Sequence, residues 1–325
     1  MTEHPLPEMV DYPHKSRIGI MGAEAMGSVI GGMLAMHGHE VTLVGRKPHI
    51  DEIKKNGLHI SGIWGDHMIR DLNAVTEPPH ECQDVVILTV KSFDTATAAA
   101  ESSPMVGSNT AILSIQNGLG NIETLIGIFG KDRIIGGMAI FGTIMTEPGN
   151  VRVTVIASET LVGELDGSLT SRNEYIVNML DSSGIPAKAS DNIMRDIWHK
   201  VLYNIALNPL SALFQVSYGQ IADNPHTRWL ATQMINEAFQ VARESGQDLG
   251  MTAADEYLKI LWNKKLPPTR NHTSSMLQDI LRGKKTEIDF INGAVVRMGV
   301  EHGIETPYNS TVIRMVKAKE SLDHE

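Results

Sequence analysis

The feature that most constrains the fold is a strand–turn–helix–strand unit in residues 17–44. Residues 17–21 (RIGIM) form a short apolar run that passes directly into the motif GAEAMG at 22–27. A helical pattern follows at 28–37, and residues 40–44 (EVTLV) predict a second strand. Two strands joined by a helix and short turns are parallel, with a right-handed crossover. The unit therefore predicts the beginning of an α/β sheet.

The following residues extend this α/β pattern. Further strand candidates are residues 84–90, 110–115 and 134–139, with a helical stretch at 96–102. The alternation predicts a Rossmann-type, doubly wound sheet with helices on both faces. We interpret residues 151–155 and 159–165 as an added antiparallel pair near the end of this half.

After Asp191 helical patterns replace the strand-like runs. The longest patterns cover residues 193–213, 229–245 and 275–299, and Pro267-Pro268 marks a loop between helices. We therefore predict a flexible tail at 1–15, a dinucleotide-binding Rossmann domain at 16–187 and an all-helical substrate and catalytic domain at 188–325.

Composition excludes several functional classes for this chain of 325 residues. The formal charge of −10 argues against general nucleic-acid binding, and no apolar run reaches the roughly 18–20 residues that span a bilayer. The single cysteine, Cys82, excludes an intramolecular disulfide framework and suits the reducing cytoplasm, where we expect the protein to act. No metal-binding motif is present, so we predict no metal site.

The GAEAMG motif resembles a dinucleotide fingerprint with one departure. Gly22 and Gly27 match the first and third glycines, which permit the tight turn and close helix–strand packing. The second position is Glu24. A carboxylate about 4 Å from a phosphate costs roughly 1 kcal/mol at water-like screening and ~4 kcal/mol at an effective dielectric constant of 20. Either Glu24 weakens or alters cofactor binding, or the loop bulges and Glu24 points to solvent.

The residue after the second strand bears on which cofactor is used. An NAD-binding unit usually has Asp or Glu there to bind the ribose hydroxyls, whereas an arginine suits the 2′-phosphate of NADP. Here the strand ends in Gly45-Arg46-Lys47. Arg46 therefore favours NADP(H), the alternative being an ordinary exposed arginine.

A polar stripe at steps of four residues marks the helical half. Lys200, Asn204 and Asn208 share one face of a predicted helix, and the residues between them are mostly apolar. Because an unpartnered buried lysine costs several kcal/mol, a chain that retains one beside two amides has a use for it. The structural alternative is an exposed polar face on a half-buried helix.

Four segments together resemble ketopantoate reductases (2-dehydropantoate 2-reductases). They are Gly22–Gly27; TVKS at 89–92 with QNG at 116–118; Trp198–Asn208; and SSMLQD at 274–279 with TEIDFING at 286–293. The likeness extends from about Arg17 to about Ser321. It implies a Rossmann domain joined to a helical domain similar to that of 6-phosphogluconate dehydrogenases. It also implies NADPH-dependent reduction of 2-dehydropantoate to (R)-pantoate, on the route to pantothenate and coenzyme A.

The resemblance implies roles for individual residues. Lys200 would be the general acid, Glu287 would position it and touch the cofactor, and Asn117 would hydrogen-bond at the cofactor end of the catalytic cleft. The residues implied to bind substrate are Asn204, Asn208, Ser275 and, with an uncertain role, His272. Those implied to bind NADP(H) are Gly22, Ala25, Met26, Gly27, Arg46, Lys91, Asn117 and Glu287.

For several of these residues a purely structural role is an alternative interpretation. Lys91 could be a solvated loop charge, and Asn117-Gly118 could be only a turn. Ser275 could be the N-cap of the helix at 276–281, a role compatible with carboxylate binding. Glu287 and Asp289 fall on a predicted helix two residues apart, so only one of them would reach the cleft.

Three functions remain in competition on the sequence. The first is ketopantoate reduction, and the second is reduction of another 2-oxoacid or ketone by a paralogue with the same scaffold. The third is a non-catalytic NADP-sensing protein, which Glu24 suggests and which the retained lysine and amides oppose, since a sensor needs no general acid. The expected partner is a small 2-oxoacid, with neither nucleic acid nor membrane. A homodimer is one state that the resemblance allows, since the family includes dimers.

Overall fold

The computed structural model describes residues 15–156 and 158–322, so residues 1–14 of the predicted tail lie outside the described part of the chain. The described residues divide into two compact units that interleave along the chain. The first unit runs to Val90 and adds Asp94–Gln116 and Ile122–Ile193. The second contains Lys91–Phe93, Asn117–Asn121 and the chain from Met194 onward.

The first unit is built on strands. They are β1 (Arg17–Met21), β2 (Glu40–Val44), β3 (Leu58–Gly62), β4 (His67–Ile69), β5 (Asn73–Val75), β6 (Gln83–Leu88), β7 (Val106–Ser114), β8 (Ile134–Met138), β9 (Phe141–Glu147), β10 (Asn150–Ile156), β11 (Thr160–Glu164) and β12 (Ala187–Ala189). The helices interspersed with them are α1 (Ala25–Met36), α2 (Lys47–Asn56), α3 (Thr95–Ser102), α4 (Asn121–Phe129, of which Asn121 belongs to the second unit) and α5 (Ser171–Ser182).

The predicted Rossmann-type sheet is confirmed. Eight strands form one sheet in the order β12-β11-β8-β7-β6-β1-β2-β5. The neighbours from β8 to β5 are all parallel, and β11 joins β8 antiparallel. Residues at the centre, such as Ile18, Leu43 and Ile87, are fully buried. Strands covered on both faces read as continuous apolar runs, which is why the sequence located them well.

The predicted antiparallel pair of residues 151–155 and 159–165 is wrong. The first segment is β10, which lies in a separate four-stranded sheet of order β4-β3-β10-β9 and pairs antiparallel with β9. The second segment is β11, which pairs with β8 in the large sheet. The short turn at Pro148-Gly149, with Gly149 at φ +79°, folds β9 directly back onto β10 and so supplies the antiparallel partner.

The second unit is helical, and no strand occurs in its described residues. Its helices are α6 (Ile193–Phe214, of which Ile193 belongs to the first unit), α7 (Tyr218–Asp223), α8 (Pro225–Glu244), α9 (Ala254–Ile260), α10 (Ser275–Leu281), α11 (Asn292–Glu301) and α12 (Pro307–Leu322). A π-helical turn at Leu261–Lys265 and a 3₁₀ turn at Pro267–Thr269 connect α9 to the segment before α10. None of the described helices combines the length and apolarity that a bilayer crossing requires.

The continuous helix predicted at 275–299 is wrong. It is divided into α10 and α11 by an irregular segment, residues 282–291. Gly283 adopts a left-handed conformation at φ +62° and donates to the carbonyl of Ile280, which ends α10. Glu287 therefore stands on this irregular segment, and the helical spacing argument for Glu287 and Asp289 does not apply.

Candidate functional site

The predicted site residues fall into two groups, one in each unit. The first unit contains Gly22, Ala25, Met26, Gly27 and Arg46. The second unit contains Lys91, Asn117, Lys200, Asn204, Asn208, His272, Ser275 and Glu287. Each group forms a local arrangement with its own geometry.

The turn between β1 and α1 requires glycine at two positions. Gly22 has φ +104°, and a Cβ there would lie 2.7 Å from the backbone nitrogen of Val90. A Cβ on Gly27 would lie 2.4 Å from the carbonyl oxygen of Gly22 and 2.5 Å from Oγ1 of Thr89. Ala25 and Met26 form the first turn of α1, where backbone N–H groups have no partner within the helix. The turn therefore presents amide donors at a helix N-terminus, the usual setting for a pyrophosphate.

Glu24 does not occupy a position that needs glycine for its backbone. Its φ of −94° and ψ of −155° are extended values that any residue adopts. Its side chain is about two-fifths exposed, and Oε1 lies 3.7 Å from Nη1 of Arg46. The departure from the fingerprint therefore leaves the turn intact and adds a carboxylate that pairs with Arg46.

Arg46 follows β2 and precedes α2, at the carboxyl edge of the sheet. Its guanidinium also lies 3.9 Å from Oδ2 of Asp94, which precedes α3. The side chain is 71% exposed, so neither carboxylate buries it. Arg46 therefore lies at the edge of the sheet where Rossmann domains bind dinucleotides, and it already has two acidic neighbours.

A partly buried ion cluster organises the second group. Lys91 Nζ lies 2.8 Å from Oδ2 of Asp279 and 3.4 Å from Oε2 of Glu287. The other carboxylate oxygen of Glu287, Oε1, accepts a 3.0 Å hydrogen bond from the backbone nitrogen of Ser92 and lies 3.0 Å from the hydroxyl oxygen of the same residue. Because both carboxylates have partners of opposite charge or hydrogen-bond donors, the cluster can remain charged away from water.

Asn117 is fixed by its backbone. Its carbonyl accepts hydrogen bonds from the hydroxyl of Ser92 at 2.5 Å and from Nδ2 of Asn121 at 2.8 Å. The next residue, Gly118, has φ +83°, and a Cβ there would lie 2.6 Å from the carbonyl oxygen of Phe290. Asn117-Gly118 is thus a turn, and it packs against the irregular segment that carries Glu287.

Lys200, Asn204 and Asn208 all lie on α6, as the four-residue spacing predicts. Lys200 is half-buried, whereas Asn204 and Asn208 are buried. Burial lowers the pKa of Lys200 from 10.5 to about 8, and attraction to the Glu287 carboxylate partly opposes this shift. The ammonium of Lys200 is therefore easier to deprotonate than that of a surface lysine.

Asn208 connects α6 to neighbouring elements. Its Oδ1 accepts a 2.9 Å hydrogen bond from the hydroxyl of Tyr218, and its carbonyl accepts one of 3.2 Å from the hydroxyl of Ser274. Burial keeps the pKa of Tyr218 well above its ordinary value, so this phenol is a neutral donor. With Oδ1 used in this way, the amide NH₂ of Asn208 is directed elsewhere as a donor.

The suggestion that Ser275 caps α10 is wrong. The N-cap is Ser274, whose buried hydroxyl accepts a 3.0 Å hydrogen bond from the backbone nitrogen of Leu277. Ser275 is the first helical residue and is exposed. His272 is half-buried, with its ring 5.4 Å from that of Tyr218, and burial lowers its pKa.

Three residues that contact the predicted site residues of the second unit were given no role by the sequence analysis. They are Ser92, Tyr218 and Asp279. Asp279 is buried, and this burial raises its pKa although Lys91 opposes the shift. An acidic residue among the apolar positions of SMLQDIL was a usable signal, because aspartate is seldom buried without a partner. Across residues 15–156 and 158–322, no group of three His, Cys, Asp or Glu side chains could hold a metal ion.

The chain matches two family models in succession. Residues 18–167 match the model described as ketopantoate reductase PanE/ApbA, and residues 192–320 match its C-terminal counterpart. The 2-dehydropantoate 2-reductase of Aquifex aeolicus is 39% identical over 306 residues, which cover 93% of this chain and 96% of the relative. That of Pyrococcus horikoshii is 36% identical, covering 94% of this chain and 98% of the relative.

Solved structures show the same similarity. A PanE/ApbA family ketopantoate reductase from Ralstonia eutropha has a TM-score of 0.85 and 31% identity, covering 95% of this chain and all of the other. A ternary structure of D-mandelate dehydrogenase with NADH and anilino(oxo)acetate has a TM-score of 0.87 and 26% identity, covering 95% of this chain and 99% of the other.

Proposed function

Because the chain belongs to the ketopantoate reductase family, we propose that it reduces 2-dehydropantoate to (R)-pantoate with NADPH, a step toward pantothenate and coenzyme A. The observation that carries this proposal is the environment of Lys200. Burial lowers the pKa of its side chain to about 8, and the residue lies on the same helix as Asn204 and Asn208. A lysine of this kind matches what a ketone reductase needs in a proton donor.

The first unit suits a nicotinamide dinucleotide. The close approaches at Gly22 and Gly27 leave room only for glycine, and the amides of Ala25, Met26 and Gly27, at the start of α1, would donate to the pyrophosphate. Arg46 would bind the 2′-phosphate, which favours NADPH over NADH. The bound cofactor supplies a hydride to the ketone carbon, and the protein residues bind, orient and protonate.

Lys200 would protonate the substrate oxygen. Hydride addition leaves negative charge on that oxygen, and an ammonium both stabilises the charge and gives up a proton. With a pKa of about 8, Lys200 is protonated in most molecules at neutral pH, yet it releases its proton more readily than an ordinary lysine. Glu287 acts on Lys200 through its charge, and the hydrogen bond that it accepts from the backbone nitrogen of Ser92 holds that charge in place.

The remaining polar residues would hold the substrate and support the cofactor. Asn204 and Asn208 provide amides for the hydroxyl and carbonyl region of the substrate. Ser275, exposed at the start of α10, would bind the carboxylate, with His272 nearby in sequence. Lys91 and Asn117 would act toward the cofactor, and both stand on short segments that belong to the second unit.

A related 2-oxoacid is the second candidate substrate. The D-mandelate dehydrogenase structure, with anilino(oxo)acetate and NADH, has the same fold as this chain over 95% of its length. The polar residues that would bind a 2-oxoacid do not by themselves select the substituent on the ketone.

The single exposed cysteine, Cys82, supports the cytoplasm as the place of action.

The test is NADPH oxidation, followed by absorbance, with 2-dehydropantoate and a panel of 2-oxoacids that includes an aryl glyoxylate. We expect the highest kcat/KM with 2-dehydropantoate. Turnover confined to another acid would select the second candidate. Cofactor binding without turnover on any acid would leave a non-catalytic NADP-binding protein.

A further inference from the structure

Three charged side chains follow three neighbouring strands of the large sheet. The strands β2, β1 and β6 are adjacent in the order given above, and Arg46, Glu24 and Asp94 come after them in turn. The Arg46 guanidinium lies 3.7 Å from Glu24 and 3.9 Å from Asp94. This trio, named here the Arg46 clamp, lies at the edge of the sheet where a dinucleotide binds.

The Arg46 clamp carries one net negative charge, because two carboxylates face one guanidinium. All three side chains are substantially exposed, at 71% for Arg46, 39% for Glu24 and 45% for Asp94. Ion pairs this exposed are weak, so an incoming anion is able to displace them. A 2′-phosphate that reaches Arg46 must nevertheless displace or approach two carboxylates, whereas a free ribose diol can donate hydrogen bonds to them.

The backbone at Glu24 is ordinary, so the carboxylate is what distinguishes this position from the glycine of the fingerprint. Its extended φ and ψ values are open to any residue, so neither a bulge nor strain explains a glutamate in place of the fingerprint glycine. The side chain adds a negative charge directed at Arg46.

We propose that Glu24 and Asp94, by holding Arg46 between them, set how strongly this chain prefers NADPH to NADH. This inference rests on the proposed function. Arg46 attracts the 2′-phosphate and the two carboxylates reduce that attraction, so the chain discriminates between the two cofactors less than Arg46 alone would allow. Removing either carboxylate therefore increases the ratio of the affinity for NADPH to that for NADH.

The experiment measures dissociation constants for NADPH and NADH by calorimetry on the intact protein and on Glu24→Gln, Asp94→Asn and the double variant. Adenosine 2′,5′-bisphosphate and 5′-AMP repeat the comparison without the nicotinamide. Asp51→Asn is the matched control. Asp51 is an exposed acid on α2 that pairs with Lys47, and its substitution changes the net charge by the same amount. Arg46→Ala, alone and with Glu24→Gln, tests whether the effect passes through the guanidinium.

We expect Glu24→Gln to raise the NADPH-to-NADH affinity ratio about tenfold, in line with one screened charge a few ångströms away. We expect the double variant to raise it further, Asp51→Asn to leave it unchanged, and Arg46→Ala to abolish the gain. An unchanged ratio, or an equal gain for both cofactors, would overturn the inference while leaving the proposed function intact. Failure of the native protein to bind either cofactor would overturn both.

Discussion

Ser274 and Ser275 are adjacent, but Ser274 is completely buried and caps α10, whereas Ser275 is exposed on its first turn. We expect Ser274→Ala to lower the free energy of unfolding by about 1 kcal/mol, because Leu277 would lose its hydrogen-bond acceptor. Urea unfolding measures this loss. Ser275→Ala is the matched comparison, and we expect it to leave stability unchanged and to raise KM for the 2-oxoacid. A stability loss confined to Ser275→Ala would contradict the assignment.

The pKa of Lys200 predicts the pH dependence of the reaction. If the ammonium is the proton donor, turnover falls as pH rises through about 8, since the deprotonated amine cannot give a proton. Lys200→Ala should lower kcat by about 10²–10⁴ and remove this limb of the profile. A pH–rate profile with saturating cofactor is the measurement. A native profile that stays flat between pH 7 and 9.5 would argue against Lys200 as the acid.

The ion cluster predicts that Lys91 contributes strongly to stability. Lys91→Ala would remove the cation that the carboxylates of Asp279 and Glu287 share, and both retain little exposure, at 12% and 5%. We expect a loss of about 3 kcal/mol in the free energy of unfolding, the cost of breaking a largely buried ion pair. Lys47→Ala breaks the exposed pair with Asp51 and should cost less than about 1 kcal/mol. Restoration of stability by adding Asp279→Asn to Lys91→Ala would show that the uncompensated charge causes the loss.

His49 should make the stability of the protein depend on pH. Its Nδ1 accepts a hydrogen bond from the backbone nitrogen of Gly149, so Nε2 carries the proton and donates to the hydroxyl of Ser28. Burial lowers the pKa of His49 below 6.5, opposed by attraction to Glu24. The unfolded chain therefore binds the proton first, and stability is lost as pH falls below about 6.5.

Chemical unfolding at several pH values between 7.5 and 5.5 tests this dependence. Half-buried histidines whose pKa is also lowered contribute, so the informative quantity is the difference between the native protein and His49→Gln. We expect the variant to be less stable at pH 7.5 and less sensitive to acid. His302→Gln, at an exposed position, is the control and should retain the native slope. Identical slopes for the native protein and His49→Gln would contradict the prediction.

Two helical glycines give a matched test of close packing. A Cβ at Gly27 would lie 2.4 Å from a backbone oxygen, whereas a Cβ at Gly127 in α4 meets no atom within 4 Å. Gly27→Ala should therefore cost about 1–3 kcal/mol of stability and weaken dinucleotide binding. Gly127→Ala should be neutral or stabilising by up to about 1 kcal/mol, since alanine favours helix. Thermal unfolding of both variants measures the contrast, and equal effects would refute it.

The sequence was most informative where the signal was local. The strands Arg17–Met21 and Glu40–Val44 were predicted with correct bounds, because each apolar run is enclosed by turn residues. The stripe on α6 was predicted from spacing alone. The break at Gly283 was missed although the sequence carries a signal for it, because residues 282–287 (RGKKTE) contain no apolar residue and a glycine commonly ends a helix.

Contacts between distant residues could not be derived from spacing. The sequence predicted that Glu24 lies either near a phosphate or in solvent. Its pairing with Arg46 depends on how the neighbouring strands align. Asp279 was part of a quoted motif, but its partner Lys91 lies far away in sequence. Such pairs follow from tertiary structure, which local propensity does not specify.

The interleaving of the two units limits how the chain can be recombined with its relatives. Lys91 and Asn117 are encoded within the stretch that builds the Rossmann sheet, yet they belong to the helical unit with Asp279 and Glu287. A chimera joined near residue 193 would thus combine loops from one parent with the carboxylates of another. Swapping whole halves would mismatch this cluster, so functional hybrids need residues 91–93 and 117–121 to be inherited together with the C-terminal half.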